Sequence, residues 1–446
     1  MLKYCCLLIA VLSALASSGQ TETNWSMFHG CVRHCGVNPA PDNLKVGGLK
    51  WKFKNDAKSY SSPAVLYDLV YFGSQDQKLY ALNSQTGKVA WKFKTAGAVN
   101  SSPAVFDHRV YFGSMDGYYY AVDAHSGKLK WKFKTEGEHR LGGRGLWGMQ
   151  PYILYMEDEF DFFISSPVVS TDQGEQTVYF GSSDGNLYAV NALDGSLKWK
   201  FKTAGAIRST PSLYEGKVYF GSWDRNIYAL DQQSGALVWK YQTREDSQAH
   251  LLEGIQASVT AENNRVFAGS RDGFFYALDA VTGKLLWEYS TWPSWIVSTA
   301  AVKDNTVFLS TSDSFQLTAL DVLTGKERFS IKTKGYNFSS AALAGNRIFF
   351  GDFTGNFYTA DVESGKVTGI FETEGRKKYK EELLDQQGTL NFQHAAGTMD
   401  LSLYQTTVEV LNKLHRLEPF VAAPLISEHT LYLNSADGGF YALNLL

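Results

Sequence analysis

The chain has 446 residues, enough for two or three ordinary domains or for one large ring of repeats. Hydrophobic residues make up 44% and aromatics 14%, which supplies an ample core and suits stacked sheets better than helices. With 42 basic against 45 acidic residues the net charge is −3, a balance that argues against a nucleic-acid binder or a basic membrane-surface protein.

Residues 1–16 read as a cleavable secretory signal: Lys3, an apolar run from Leu7 to Leu15, and the exit Ala14-Leu15-Ala16. The run is too short to span a bilayer as a mature helix, and no lipid-anchor cysteine follows it, because Cys5 and Cys6 come first. A periplasmic or secreted protein without an integral membrane segment is the expectation. Residues 17–48 form a leader of low periodicity. It holds Cys31 and Cys35, the two cysteines left after cleavage, flanked by His29 and His34. A disulfide closing this small loop is one reading and a pair of free thiols another. A metal cluster of these four residues is the weaker alternative, and no metal is assigned. The haem-attachment spacing is not met.

From residue 49 onward one unit recurs. Its pattern is residues 61–94, four short apolar runs with period-2 alternation separated by Gly, Asp and Asn turn signals, hence four antiparallel strands. The best-kept string is A-x-N/D-x-x-T/S-G-K-x-x-W. Its Asn/Asp falls at Asn83, Asp123, Asn191, Asp231, Asp279, Asp321, Asp361 and Asn444. A period near 40 with four strands per unit is the signature of a β-propeller. At residues 49–54 stands a fourth strand without its first three, and at 420–446 stand three strands without a fourth. The two fragments complement each other, so residues 49–446 are expected to form an all-β, eight-bladed propeller closed by the N-terminal strand in the last blade.

Within a unit, Ser-Ser-Pro suits an innermost strand, where Pro needs no ladder partner and small residues relieve crowding. Trp-x-Phe on the fourth strand buries its aromatics between blades. The structural tryptophans are Trp51, Trp91, Trp131, Trp199, Trp239 and Trp287, with Phe329 and Gly369 replacing Trp in blades six and seven. The GSxDG turns at Asp116, Asp184 and Asp272, with Asp76 and Asp224 lacking the final Gly, are read as hairpin chemistry rather than a metal crown.

Three insertions break the pattern, at 135–163, 243–254 and 372–418, with a shorter one at 290–294. All connect the fourth strand of one blade to the first of the next, so all are expected on one face of the disc, where binding residues tend to lie. The candidate partner contacts are His139, Arg140, Arg144, Trp147, Met149 and Asp158 in the first insertion and Trp292 in the short one. A G-x-G-x-x-G string at Gly143, Gly145 and Gly148 lacks the strand before it and the helix after it that a dinucleotide site requires. The last insertion is expected to be helical over 376–387 and 400–417, with Leu401, Tyr404, Val408, Leu411 and Leu414 on one stripe.

The recurring string, fullest at 121–131 (AVDAHSGKLKW) and 277–287 (ALDAVTGKLLW), resembles the tryptophan-docking repeat of the pyrroloquinoline quinone (PQQ) propellers, and WSMFHG at 25–30 is similar to the leader of bacterial PQQ-like repeat proteins. The resemblance implies two functional branches. In the quinoprotein dehydrogenases PQQ and Ca²⁺ sit on the propeller axis. Their vicinal cysteines have as counterpart only Cys5-Cys6, which lies in the signal, and their calcium ligands and catalytic Asp are not placed on matching motifs. The BamB-like branch is non-catalytic and binds polypeptides, though this chain lacks its lipid-anchor cysteine. A non-catalytic scaffold binding a protein or peptide of the cell envelope on the insertion face is therefore the expectation, with no catalytic residue and no cofactor. Should PQQ bind, its carboxylates call for Arg208, Arg225 and Arg271, with Trp223 and Trp295 for stacking. A binder of carbohydrate or envelope polymer is the third alternative.

Overall fold

The computed structural model describes residues 26–172, 174–245 and 254–446; the signal-like segment and Trp25 lie outside these. Eight antiparallel four-stranded sheets follow one another in sequence order as the blades of a ring. Seven are built from consecutive strands. In the eighth, Val46–Lys54 pairs antiparallel with Gly439–Leu445, which completes the sheet whose inner strands are Thr430–Asn434 and Leu425–Ser427. The ring is thus closed by its own two ends. Its closing strand begins three residues earlier than the repeat pattern implies.

Repeat chemistry accounts for the seams. The indole N–H of each docking tryptophan donates to a carbonyl in the next blade's third-to-fourth-strand turn. Trp51 reaches Ser84 O at 2.9 Å, Trp91 reaches Ala124 O at 2.9 Å and Trp131 reaches Ala192 O at 3.0 Å. Trp199, Trp239 and Trp287 repeat the bond to Gln232, Ala280 and Val322. Beneath each ring lies the glycine of the T/S-G-K turn. At Gly127, with φ of +67°, an added Cβ would lie 2.7 Å from Trp91 Cε3, so the position demands both left-handed backbone and absence of a side chain. In blade six Phe329 covers Gly365 in the same way.

The Ser-Ser-Pro strands line the axis. The second hydroxyl of each accepts a hydrogen bond from the backbone N–H of the preceding blade: Ser62 N–H to Ser102 Oγ (3.0 Å), Ser102 to Ser166 (2.8 Å), Ser166 to Thr210 (3.0 Å) and Thr210 to Ser258 (2.9 Å). Thr299 N–H to Ser340 and Ala423 N–H to Ser62 continue the ring. These buried donors have no strand neighbour on the channel side, so the hydroxyls satisfy them. The turn aspartates behave as hairpin residues. Asp116 and Asp224 accept from Tyr120 (2.8 Å) and Tyr228 (2.6 Å) as well as from turn N–H groups, and no cluster of three or more metal-ligating side chains occurs among the described residues.

The leader is more ordered than its sequence suggests. Residues 26–38 run under the ring and meet the far ends of the innermost strands. Ser26, Val32, Arg33, Cys35 and Gly36 carbonyls accept from Val105, Leu213, Ala261, Val302 and Leu343 N–H groups, and Val37–Asn38 adds a parallel strand to blade seven. The leader therefore stoppers the pole opposite the insertions. His29 Nδ1 and Nε2 lie 2.7 and 2.8 Å from the His34 and Ala341 carbonyl oxygens, to which its ring N–H donates, and the His34 Nδ1–H donates to Val259 O at 3.0 Å. Cys31 and Cys35 stand as free thiols with their Sγ atoms 2.9 Å apart, and the thiol contact draws Cys31 down to about 7.

Candidate functional site on the insertion face

The described insertions rise from one pole. Residues 135–163 fold as a small hairpin, Gly142–Arg144 paired with Tyr155–Glu157, joined through a turn at Leu146–Gly148. The glycine-rich string thus supplies a hairpin strand and its one-turn 3₁₀ connection and opens no α-helix. Residues 372–418 form α1 (Glu374–Leu383), α2 (Phe392–Ala396) and α3 (Tyr404–Leu414). Thr373 and Asn391 cap the first two by accepting from Arg376 N–H and His394 N–H. In α3 the fully buried valine is Val410, two residues beyond the expected Val408, which is only half-buried. The two insertions join. Gln150 N–H donates to Ser402 O (2.8 Å), Tyr404 N–H to Gln150 O (3.1 Å) and the Tyr404 hydroxyl to Glu157 O (3.0 Å). Beneath them one apolar cluster spans Tyr60, Phe162, Phe338, Phe353, Leu411, Leu414 and Val421, so the platform is anchored across the mouth of the axis. Residues 246–253 of the second insertion lie outside the described set.

Under the platform the arginines singled out from sequence are already partnered. Arg208, 1% exposed, forms a two-pronged pair with Asp161 (Nε 2.8 Å, Nη2 2.6 Å) and also reaches Glu138 (3.4 Å) and the His139 carbonyl (2.7 Å). Burial opposes the Arg208 charge, and the Asp161 carboxylate more than offsets it, raising the guanidinium above its usual range. Burial pushes Glu138 up despite Arg208. Arg271 lies between Trp223 and Trp295, its Cζ 4.8 and 4.3 Å from their ring centres, and pairs with Asp158 at 2.6 Å. Arg225 pairs with Glu245 at 3.3 Å. Two of the expected partner contacts thereby become internal. Asp158 is 0% exposed and holds Arg271, and Met149 packs with Leu146 and Met156. Arg140 ties down Glu157 and Asp158, while His139 and Arg144 remain exposed.

Between platform, hydroxyl ring and leader, the axis retains a chamber of about 20 Å³, bounded by Phe28, Ser166, Arg208 and Gln256, room for about one water. The residues present do not fit PQQ: the cationic groups its carboxylates would need are bound by carboxylates of the same chain, and the chamber is far below cofactor size.

Outward from the axis lies a groove of about 370 Å³ lined by Trp147, Phe160, Pro293, Trp295, Tyr336 and Phe338, with Ser312 and Asp313 at one end. Sequence reasoning named Trp147 and Trp295 but missed Tyr336, Phe338 and Asp313. The available signal was the irregular turn at 311–315 (TSDSF), which departs from GSxDG. Beside the groove the hairpin tip exposes Tyr152, Ile153, Leu154 and Tyr155, Ile153 to 85%, with Trp292 and Leu403 also exposed.

Residues 42–146, 139–261 and 250–408 match the family model of the outer membrane protein assembly factor BamB. The chain belongs to this family. Among solved structures, BamB from Moraxella catarrhalis superposes with a TM-score of 0.64 at 16% identity, over 90% of this chain and all of that one. The quinohemoprotein alcohol dehydrogenase of Comamonas testosteroni gives 0.68 at 14% identity, over 95% of this chain and 80% of that one. At such identities the likeness is one of fold. A stretch of 46 residues is 44% identical to the β-alanine-activating enzyme of Danio rerio; it spans 10% of this BamB-family chain and 4% of that enzyme. Among the described residues of the BamB-family propeller, no helix is long and apolar enough to cross a membrane.

Proposed function

We propose that this BamB-family propeller is a non-catalytic scaffold of the cell envelope that docks a protein or peptide on its insertion-bearing pole. One observation carries the reading: two insertions more than two hundred residues apart in sequence fold into a single platform, whose tip presents Tyr152, Ile153, Leu154 and Tyr155 to solvent. Consecutive exposed apolar residues cost solubility and mark interaction surfaces. The platform is held rigid from below by buried arginine–carboxylate pairs, which suits a preformed surface better than a mobile lid.

The test replaces the four tip residues by Ser and Asn while leaving Asp158 and Asp161 in place, then compares proteins captured from envelope extract. Loss of a partner seen with the unaltered chain supports the reading, and an unchanged set refutes it. An oxidoreductase role would require the first insertion to withdraw Asp158 and Asp161 and open the axis, and titration of PQQ with Ca²⁺, followed by tryptophan fluorescence and dye reduction, tests that alternative. A carbohydrate-binding role, through Trp292 and its neighbours, is tested by glycan titration.

A further inference from the structure

The groove beside the hairpin tip combines two chemistries. Its walls are aromatic: Trp147 lies 5.5 Å from Phe160 and 6.0 Å from Trp295 between ring centres, Phe160 lies 5.9 Å from Tyr336 and 5.7 Å from Phe338, and Tyr336 is 5.3 Å from Phe338. Its end is acidic. Asp313 is exposed through the mouth of the groove, with protein on its remaining sides. Burial raises its pKa, and the same carboxylate, after burial, helps push up the Tyr336 phenol. The Ser312 hydroxyl donates to Asp313 at 2.5 Å. Lys332, on the same blade, bonds Gln316 Oε1 (2.6 Å) and Ser314 O (3.4 Å), and Asp313 enters no ion pair among the described residues. This differs from the neighbouring carboxylates Asp158 and Asp161, each matched with an arginine.

An aromatic enclosure with one uncompensated carboxylate selects a cation that also carries flat or apolar surface. A guanidinium meets both demands, since it stacks on rings and donates in a planar fork to a carboxylate. The protein itself makes this arrangement one layer down, where Arg271 lies between Trp223 and Trp295 and bonds Asp158. A volume of about 370 Å³ suits one long side chain with part of its backbone. The Trp147 indole N–H, on a ring of the groove wall, is buried without an acceptor among the described residues.

We propose that the groove formed by Trp147, Phe160, Trp295, Tyr336, Phe338 and Asp313 receives an arginine side chain of the docked polypeptide. The inference rests on the docking reading above and specifies what the surface recognises. A peptide arginine presents its charge to Asp313 and its planar face to the rings, while the apolar tip at residues 152–155 contacts the flanking segment.

The test titrates Nα-acetyl-arginine amide, its neutral isostere Nα-acetyl-citrulline amide, and tetramethylammonium into the full chain, following tryptophan fluorescence and calorimetry. Arginine amide is expected to bind at least about fivefold more tightly than either competitor, and Asp313→Asn to remove that preference. Trp147→Leu, a second variant that keeps Asp313 and the Arg271–Asp158 pair, is expected to weaken arginine amide by about fivefold or more in a chain that still melts cooperatively. Equal binding of the citrulline amide, tighter binding of tetramethylammonium, or indifference to both variants overturns the proposal. If tip replacement abolishes partner capture but Asp313→Asn does not weaken it, the groove assignment falls and the docking reading stands. Arginine amide binding without any tip-dependent capture removes both and leaves a site for free cations.

Discussion

Removing Asp158 tests how the platform is fastened. In Asp158→Ala the Arg271 guanidinium loses its charged partner at 2.6 Å while remaining buried between Trp223 and Trp295. Breaking a buried pair by deleting one member costs about 3–5 kcal/mol, because the other charge is left uncompensated. Here Gln256 Oε1 still accepts from Arg271 Nε at 2.9 Å, and the two indole faces still receive the cation, so the lower end, about 3 kcal/mol, is expected. With an unfolding entropy of about 2 cal/mol/K per residue, that loss lowers Tm by roughly 3–4 °C if the ring melts as one unit. The double variant Asp158→Leu with Arg271→Met removes both charges and is expected to recover half or more of the loss. Differential scanning calorimetry of the three proteins decides it. A drop below 1 °C in the single variant, or a double variant worse than the single, refutes the idea that this pair pins the insertion to the ring.

Gly127→Ala introduces a methyl 2.7 Å from Trp91 at φ of +67° and is expected to cost about 2–4 kcal/mol, whereas Gly48→Ala, which meets no atom within 4 Å, serves as a near-neutral control in urea denaturation. Deleting the chain through Lys54 removes the fourth strand of blade eight together with Trp51, and a loss of cooperative melting is expected by circular dichroism, because an unpaired edge then opens the ring. His415 is buried at the base of α3, where burial pushes it down to about 3; His34 is likewise pushed down to about 3. Both are neutral when folded and take up protons on unfolding below about pH 6.5, so stability is expected to fall as pH drops through that value, by about 1 kcal/mol per histidine between pH 7 and 5.5, and to keep falling toward pH 3. His415→Gln flattens that slope in denaturant titrations at the two pH values; an unaltered slope refutes its assignment.

The ring was legible because each blade carries its own local instructions. The turn aspartates and the Trp-x-Phe strand lie within a window of about 40 residues, the split last blade shows as two complementary fragments of that same unit at the two ends of the repeats, and the structure places them accordingly. What escaped the sequence depends on contacts across the ring. Asp158 reads from sequence as a contact for an outside partner, yet its partner is Arg271 of the same chain, 113 residues away. Arg208 meets Asp161 across 47 residues, so a residue chosen as an anion site turned out to be filled by the chain's own loop. The leader has no periodicity because it works through backbone carbonyls, each serving a different blade, and His29 resembles a ligand only until the two carbonyls at its ring nitrogens are in view. Helix α2, five residues capped by Asn391, is too short to leave a periodic trace. The acidic end of the groove was missed because Asp313 belongs to a turn that departs from its siblings, and such departures reveal a site only once their neighbours are known.

The central claim, that the decorated pole is the working surface, is tested most directly by placing a photoreactive side chain at Ile153, 85% exposed on the hairpin tip, and at Glu215, exposed on the opposite pole. Irradiation in intact envelopes followed by mass spectrometry is expected to give a covalent adduct with a polypeptide partner from Ile153 and none from Glu215. Adducts from Glu215 alone, or the same adducts from both positions, would contradict the account.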